Sequence, residues 1–169
     1  MPTPSYQVST LIYCFDANDR VLLMKRSKSP NKGLWSPPGG KLDQIMGESP
    51  HQCAARESKE ELGLQAEPAD FHLTGMVSEM GYEGKHHWLM FLFEYQSTLS
   101  HCPPLHPEGE FAFISKDELE RLDIPKTDQT FIWPMFWKYR HQFFTAHCNC
   151  LQSDQFEWQL HQPHHFSNY

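Results

Sequence analysis

The sequence predicts a single-domain α/β or α+β fold, a sandwich of helices packed on a sheet. Three observations carry that prediction. Apolar, β-branched runs come in pairs separated by tight polar turns, one well-capped helix follows the first pair, and an aromatic-rich helical stretch comes late in the chain. A length of 169 residues allows one domain with a real core and argues against two.

The elements follow in order. "QVSTLIYCF", "DANDR" and "VLLMKR" read as strand, turn and strand. A helix is expected over Pro50 to Leu62, because Ser49 suits the N-cap, Pro50 the first helical position and Gln52 the reciprocal partner of a capping box. Gly63 fits the left-handed position that ends it. "FHLTGMVSE" and "HHWLMFLFEY" form a second strand pair around "MGYEGK", and "EFAFI" is a further short strand. "SKDELERL" reads as a helix opened by a Ser115–Glu118 capping box. A third helix is expected from near Asp128 through "TFIWPMFWKYRHQFF", with Pro134 marking a start or kink. "FTAHCNC" and "DQFEWQL" look like a closing strand pair, so the domain is placed at 1–160 and a polar, flexible tail at 161–169.

Composition narrows the function. Hydrophobic residues make up 39% and charged residues 21%, as in folding proteins. A net charge of −7 argues against duplex nucleic acid as a partner, although a bound metal ion can reverse the sign locally and admit a polyphosphate. The N-terminal stretch lacks a basic segment followed by a long apolar run, and no stretch approaches 18 apolar residues, so neither a secretion signal nor a membrane span is expected. Five irregularly spaced cysteines read as reduced thiols rather than a disulfide framework, and the chain is expected in the cytoplasm.

The stretch "PPGGKLDQIMGESPHQCAARESKEELGL" holds the chemistry. On a helix, residues three and four apart share a face, so Glu57, Glu60 and Glu61 gather on one side. Carboxylates so placed repel one another unless a cation joins them, and a hard divalent ion takes such oxygen ligands while keeping positions for phosphate and water. Arg56 is placed to hold Glu60, and the loop can return Glu48 to the same cluster. Gly39 and Gly40, without Cβ atoms, let backbone pass close to a metal or a phosphate.

These residues resemble the Nudix box. Glu48, Arg56, Glu57, Glu60, Glu61, Gly63 and Leu64 fall in register with its pattern, which opens here at Gly40. Two departures stand out. Seven residues rather than five separate Gly40 from Glu48, so "LDQIMG" is expected to bulge, and Ser58 occupies a position the pattern gives to an aliphatic. The resemblance implies an α/β/α sandwich around a mixed sheet. It also implies hydrolysis of a nucleoside diphosphate linked to another moiety, with Mg2+ (or Mn2+) as cofactor. It assigns the metal to Glu57, Glu60, Glu61 and Gly40, and catalytic roles to Arg56, Glu60, Glu61 and Glu110, with Glu108 as the substitute for Glu110.

Substrate contacts are expected from Arg26 and Lys41 toward phosphate, and from Trp35, Ser36 and Asp128 toward a base, with Tyr82, Trp88 and Trp133 as further aromatic candidates. "IPKTDQTFIWPMFW" is similar to the C-terminal part of oxidised-purine nucleoside triphosphate diphosphatases, in which an acidic residue matching Asp128 contacts the base. Ser36 departs from the Asn common there, and the stacking Trp before Asp128 is missing. The substrate implied is a purine nucleoside triphosphate, oxidised or not, cleaved to monophosphate and pyrophosphate. The competing readings are a hydrolase of nucleotide sugars or other nucleoside diphosphate derivatives, and a catalytically silent nucleotide-binding domain. The chain is expected as a monomer or homodimer.

Overall fold

A computed structural model describes residues 5–152 and 155–163. The described residues form an eight-stranded mixed sheet. Its strands are β1 (Tyr6–Asp16), β2 (Val21–Arg26), β3 (Trp35–Ser36), β4 (Phe71–Tyr82), β5 (His86–Leu99), β6 (Gly109–Ile114), β7 (Phe144–Asn149) and β8 (Glu157–Gln162). The order across the sheet is β3-β2-β1-β5-β4-β7-β8, with β6 also paired to β2. The β1–β5 and β4–β7 pairs are parallel and the remainder antiparallel. Helix α1 (Pro50–Leu62) lies on one face, and α3 (Trp133–Tyr139) on the other.

Strand β1 shows why both faces need cover. Its run "LIYCF" is apolar without alternation, and successive side chains point to opposite faces. Ile12 and Cys14 pack with Ala54 and Leu62 of α1 and with Phe93 of β5. Tyr13 and Phe15 pack with Trp133 and Phe136 of α3. The Tyr13 and Phe136 rings stack with centroids 4.0 Å apart. The fold is therefore the expected sandwich, with one core on each side of the sheet.

Helix α1 has the expected bounds and both halves of its capping box, and Gly63 closes it at φ 70°. Elsewhere local detail differs from expectation. The second helix, α2, is one turn (Lys116–Leu119) instead of two. The third begins as a π-helical turn over Asp128–Ile132 and becomes α-helical only at Trp133, with Pro134 in its first turn. The helix ends at Tyr139 and Phe144 already belongs to β7, so "HQFF" is not helical. Strand β8 runs to Gln162, two residues past the expected end of the domain, and the tail beyond Pro163 lies outside the described residues. All five cysteines are free, with Cys102 alone among them exposed. Among the described residues no helix is long and apolar enough to cross a membrane.

Candidate active site

Loop, helix and sheet edge meet at a cavity of about 340 Å3. Residues Pro37–Lys41 form one wall. Their backbone is bound to β1 by hydrogen bonds from Thr10 N–H to the Gly40 carbonyl (2.8 Å) and from Ile12 N–H to the Pro38 carbonyl (2.8 Å). Close approach of backbone requires the glycine at 39, where φ is also positive, and at 40 a side chain would displace Glu57. A Cβ on Gly39 would meet the Thr10 carbonyl oxygen at 2.2 Å, and one on Gly40 would meet Glu57 Oε1 at 2.2 Å. Glu57 from α1 therefore lies directly over the glycine backbone.

Arg56 organises the carboxylates. Its Nε and Nη2 donate to the two oxygens of Glu48 (2.7 and 2.9 Å), and Nη1 donates to Glu57 (2.7 Å) and Glu60 (3.2 Å). Nη2 also reaches the Lys41 carbonyl at 3.1 Å, tying helix to loop. The fork holds the Glu48 carboxyl below the usual carboxylate range. The loop that carries the two extra residues turns tightly: Asp43 N–H donates to Glu48, and the Asp43 carboxylate accepts from Ile45 and Met46. Its tip leaves Ile45 and Met46 exposed. Ser58 is fully buried and donates to the Ala55 carbonyl at 2.9 Å, which settles its hydroxyl where an aliphatic was expected.

Glu57 and Glu61 are the desolvated pair. Burial raises the Glu57 carboxyl despite Arg56, and pushes Glu61 up to about 7 despite the hydrogen bond it accepts from Gly39 N–H (3.0 Å). Each is raised further by the other's charge or its neighbours', with Glu108 acting on both. Among the described residues no three His, Cys, Asp or Glu side chains stand ready-made around one point. The donor set nonetheless fits a hard divalent cation: all oxygen, partly desolvated and mutually repelling, beside glycine backbone.

The structure separates the remaining expectations. Arg26, Ser36, Lys41, Tyr82, Trp88 and Asp128 line the cavity. Glu60 has a side chain 57% exposed and does not line it. The Gly40 carbonyl, an expected metal ligand, already accepts from Thr10. Glu110 is exposed on β6, whereas Glu108, just before the strand, lines the cavity and acts on Glu57 and Glu61. Of the two, Glu108 stands in the cavity wall and Glu110 does not. Trp35 and Trp133 go to the core and do not line the cavity.

Glu79 was not expected. It lines the cavity from β4, opposite Trp88 in register, and is only 3% exposed. Its Oε1 is buried without a partner. The available signal was an acid at an inward position of an alternating strand, since the odd-numbered neighbours Val77 and Gly81 are buried with it. Burial first, and then the charge of Asp128, raises Glu79 well above the usual carboxylate range, and burial pushes Asp128 up to about 7. Tyr82, whose hydroxyl donates to Asn31 Oδ1 at 2.8 Å, completes this end.

Comparison with known proteins agrees with this geometry. A family model described as NUDIX domain matches residues 5–134. A Mycobacterium tuberculosis protein provisionally named 8-oxo-dGTP diphosphatase 3 is 39% identical over 111 residues, which are 64% of this chain and 50% of that protein. An RNA pyrophosphohydrolase of Erythrobacter litoralis is 31% identical over 126 residues, 62% of this chain and 73% of its own. A MutT protein structure from Bacillus halodurans superposes with a TM-score of 0.69 at 25% identity, covering 94% of this chain and 99% of that one. The chain spans about half the length of the tuberculosis relative.

Proposed function

This chain belongs to the NUDIX family, and from that premise we propose that it is a metal-dependent pyrophosphohydrolase acting on nucleoside diphosphate derivatives. The preferred substrate is a purine nucleoside triphosphate, oxidised or not, which gives a monophosphate and pyrophosphate. The observation that carries the reading is one cavity joining two chemistries. Glu57 and the Gly39–Gly40 backbone stand in its wall with Glu108 and Arg26, and it continues to Trp88, Tyr82 and Asp128. The first group suits a pyrophosphate and the second a base. The names of the two curated relatives, a diphosphatase and a pyrophosphohydrolase, support the same bond.

Glu57 and Glu61, with Glu60 at the rim, are the residues that would hold the divalent cation, Mg2+ or Mn2+. Bound there, that ion neutralises phosphate charge and lowers the pKa of its water. The chain's own groups do the rest. Arg56 fixes Glu48 and Glu57, and so fixes the helix against the loop. The bare glycine backbone admits the phosphates closely, and Arg26 and Lys41 meet their remaining charge. Glu108 is the carboxylate in the cavity wall placed to take the proton of the attacking water.

The test is a product-resolved screen of the purified protein with Mg2+ against ordinary and oxidised nucleoside triphosphates, nucleotide sugars and dinucleoside polyphosphates. Monophosphate and pyrophosphate released from a purine triphosphate are expected. Turnover of nucleotide sugars alone would keep the carboxylate mechanism and discard the substrate. Binding of nucleotides without turnover of any would replace the enzyme with a silent nucleotide-binding domain.

A further inference from the structure

Glu108 reaches the cavity wall from a tight turn, His106-Pro107-Glu108-Gly109, that leads into β6. The turn is closed by His106 N–H to the Gly109 carbonyl (3.1 Å) and by Gly109 N–H to the His106 carbonyl (3.0 Å). Pro107 at the second position presets its backbone. Ser27, just past β2, holds it from the other side: its N–H donates to the Glu108 carbonyl (2.8 Å), and its hydroxyl donates to the Pro107 carbonyl (3.0 Å). One polar group of the turn is left, the Glu108 N–H. In turns of this kind an Asp or Asn at the first position accepts the N–H two residues on. Here the first position is histidine, and His106 Nδ1 accepts the Glu108 N–H at 3.3 Å. An atom that accepts an N–H carries a lone pair, so in this contact the ring proton sits on Nε2. His106 itself is half-buried and does not line the cavity.

We propose that His106 is a positioning residue for the hydrolysis: through Nδ1 it fixes the Glu108 backbone, and so sets the direction from which the Glu108 carboxylate meets the attacking water. The proposal rests on the reading of Glu108 as proton acceptor and adds to it the group that aims it. The Pro107–Glu108 peptide is gripped at both ends, by the Ser27 hydroxyl at its oxygen and by His106 at its N–H. Turning that peptide over separates the two common turns with Pro at the second position, and it carries the third residue to positive φ. Among the described residues positive φ outside glycine falls at Asp19, Asn31 and Glu83, so Glu108 is on the unturned side. A turned peptide would swing the Glu108 Cα–Cβ bond and its carboxylate to another heading. A general base works only within hydrogen-bond reach of its proton, and a misplacement of about 1 Å can cost on the order of 100-fold in rate. The two side chains that hold this peptide therefore act on the rate without touching the substrate.

The experiment uses the full chain unchanged and as His106→Ala, His106→Asn, Glu108→Gln and the double variant Glu108→Gln with His106→Ala. Steady-state hydrolysis of dGTP with Mg2+ is measured beside hydrogen exchange at the residue-108 amide. His106→Ala should lower kcat about tenfold with KM within about twofold, and should speed exchange at that amide about tenfold. His106→Asn, whose side-chain oxygen accepts the same N–H, should restore both to within about threefold. In the Glu108→Gln background, slow already, His106→Ala should change kcat less than about twofold, because the carboxylate it aims is gone. Normal kcat in folded His106→Ala, or the same loss with and without the Glu108 carboxylate, overturns the proposal and leaves the proton-acceptor reading of Glu108 intact. Normal kcat in Glu108→Gln overturns that reading and this proposal with it. If dGTP is not hydrolysed at all, the hydrolytic reading fails by itself. Unchanged exchange in His106→Ala then overturns the hold on Glu108 as well, and faster exchange rescued by His106→Asn upholds it.

Discussion

Beside one end of the cavity, where Glu57 joins the wall, Glu48 and Glu57 are tied to a single arginine, while Glu61 accepts a backbone N–H from Gly39. At the other end the Thr127 hydroxyl stands 3.5 Å from Asp128 Oδ1, Glu79 Oε1 is buried without a partner, and among the described residues neither acid makes an ion pair. The first group is partly solvated and preorganised, as a site that must stabilise charge during a reaction should be. The second is dry and unsatisfied, and a dry unsatisfied pair discriminates between ligands more than it stabilises charge. Chemistry and selectivity are thus assigned to different carboxylates in one cavity, and each assignment can be broken without the other.

The largest effect is expected from Glu61→Gln. The amide keeps an oxygen for Gly39 N–H and removes a charge that burial already disfavours, so the melting temperature should hold or rise. Turnover should nevertheless fall about 10^3-fold, in the range of a lost catalytic charge or proton acceptor. Steady-state kinetics beside a thermal melt checks both. Turnover within threefold of normal in a folded variant would remove the carboxylates of α1 from the chemistry.

The two ends were unequally legible in the sequence for a physical reason. Everything around α1 is local: a capping box spans three residues, a helical face four, and Arg56 contacts Glu48 and Glu60 within eight positions of itself. Spacing alone places such residues together. The strand-paired end depends on sheet order and register, because Glu79, Trp88 and Asp128 meet only through the β4–β5 register and the turn after Thr127. Asp128 was reached through resemblance, and Glu79 was not reached at all. The β1–β5 parallel pairing, which links strands separated by the whole of α1 and β4, left no local trace either. Glu110 and Glu108 differ by two residues and lie on opposite sides of a strand boundary, the kind of detail that spacing resolves least well. Trp35 and Trp133 were expected near a base, and packing claims them instead: Trp133 sits edge-on to Tyr13 at 5.0 Å.

A smaller effect, which sharpens the same contrast, is expected from Arg56→Lys. The planar fork that contacts Glu48 twice, Glu57, Glu60 and the Lys41 carbonyl is replaced by one ammonium group. Turnover should drop roughly 10- to 30-fold as Glu57 loses its fixed position, with stability lower by about 1–2 kcal/mol from the lost charge-assisted bonds. The ratio of guanine to adenine turnover should not move, because the fork does not reach Asp128. Kinetics on two triphosphates and one denaturation curve test this, and a changed ratio would show that the two ends are coupled.

The smallest effect concerns stability against pH, and it belongs to the base end. Burial pushes Asp128 up to about 7 in the fold from a usual value of 3.8, so the folded chain favours its protonated form. The associated stability is fully present below the unfolded value and is lost as pH rises toward about 7. Asp128→Asn has no proton to lose. Its melting temperature, measured relative to the unchanged protein, should therefore climb between pH 6 and pH 7, by about 1 kcal/mol or roughly 2–4 °C. The slope shrinks without vanishing, because Glu79 stays in the variant with its carboxyl still raised by burial. A pH slope identical in both proteins would mean that Asp128 carries its charge comfortably when folded. A counter-charge or solvent would then have to reach it, and the dry carboxyl pair would no longer describe that end of the cavity.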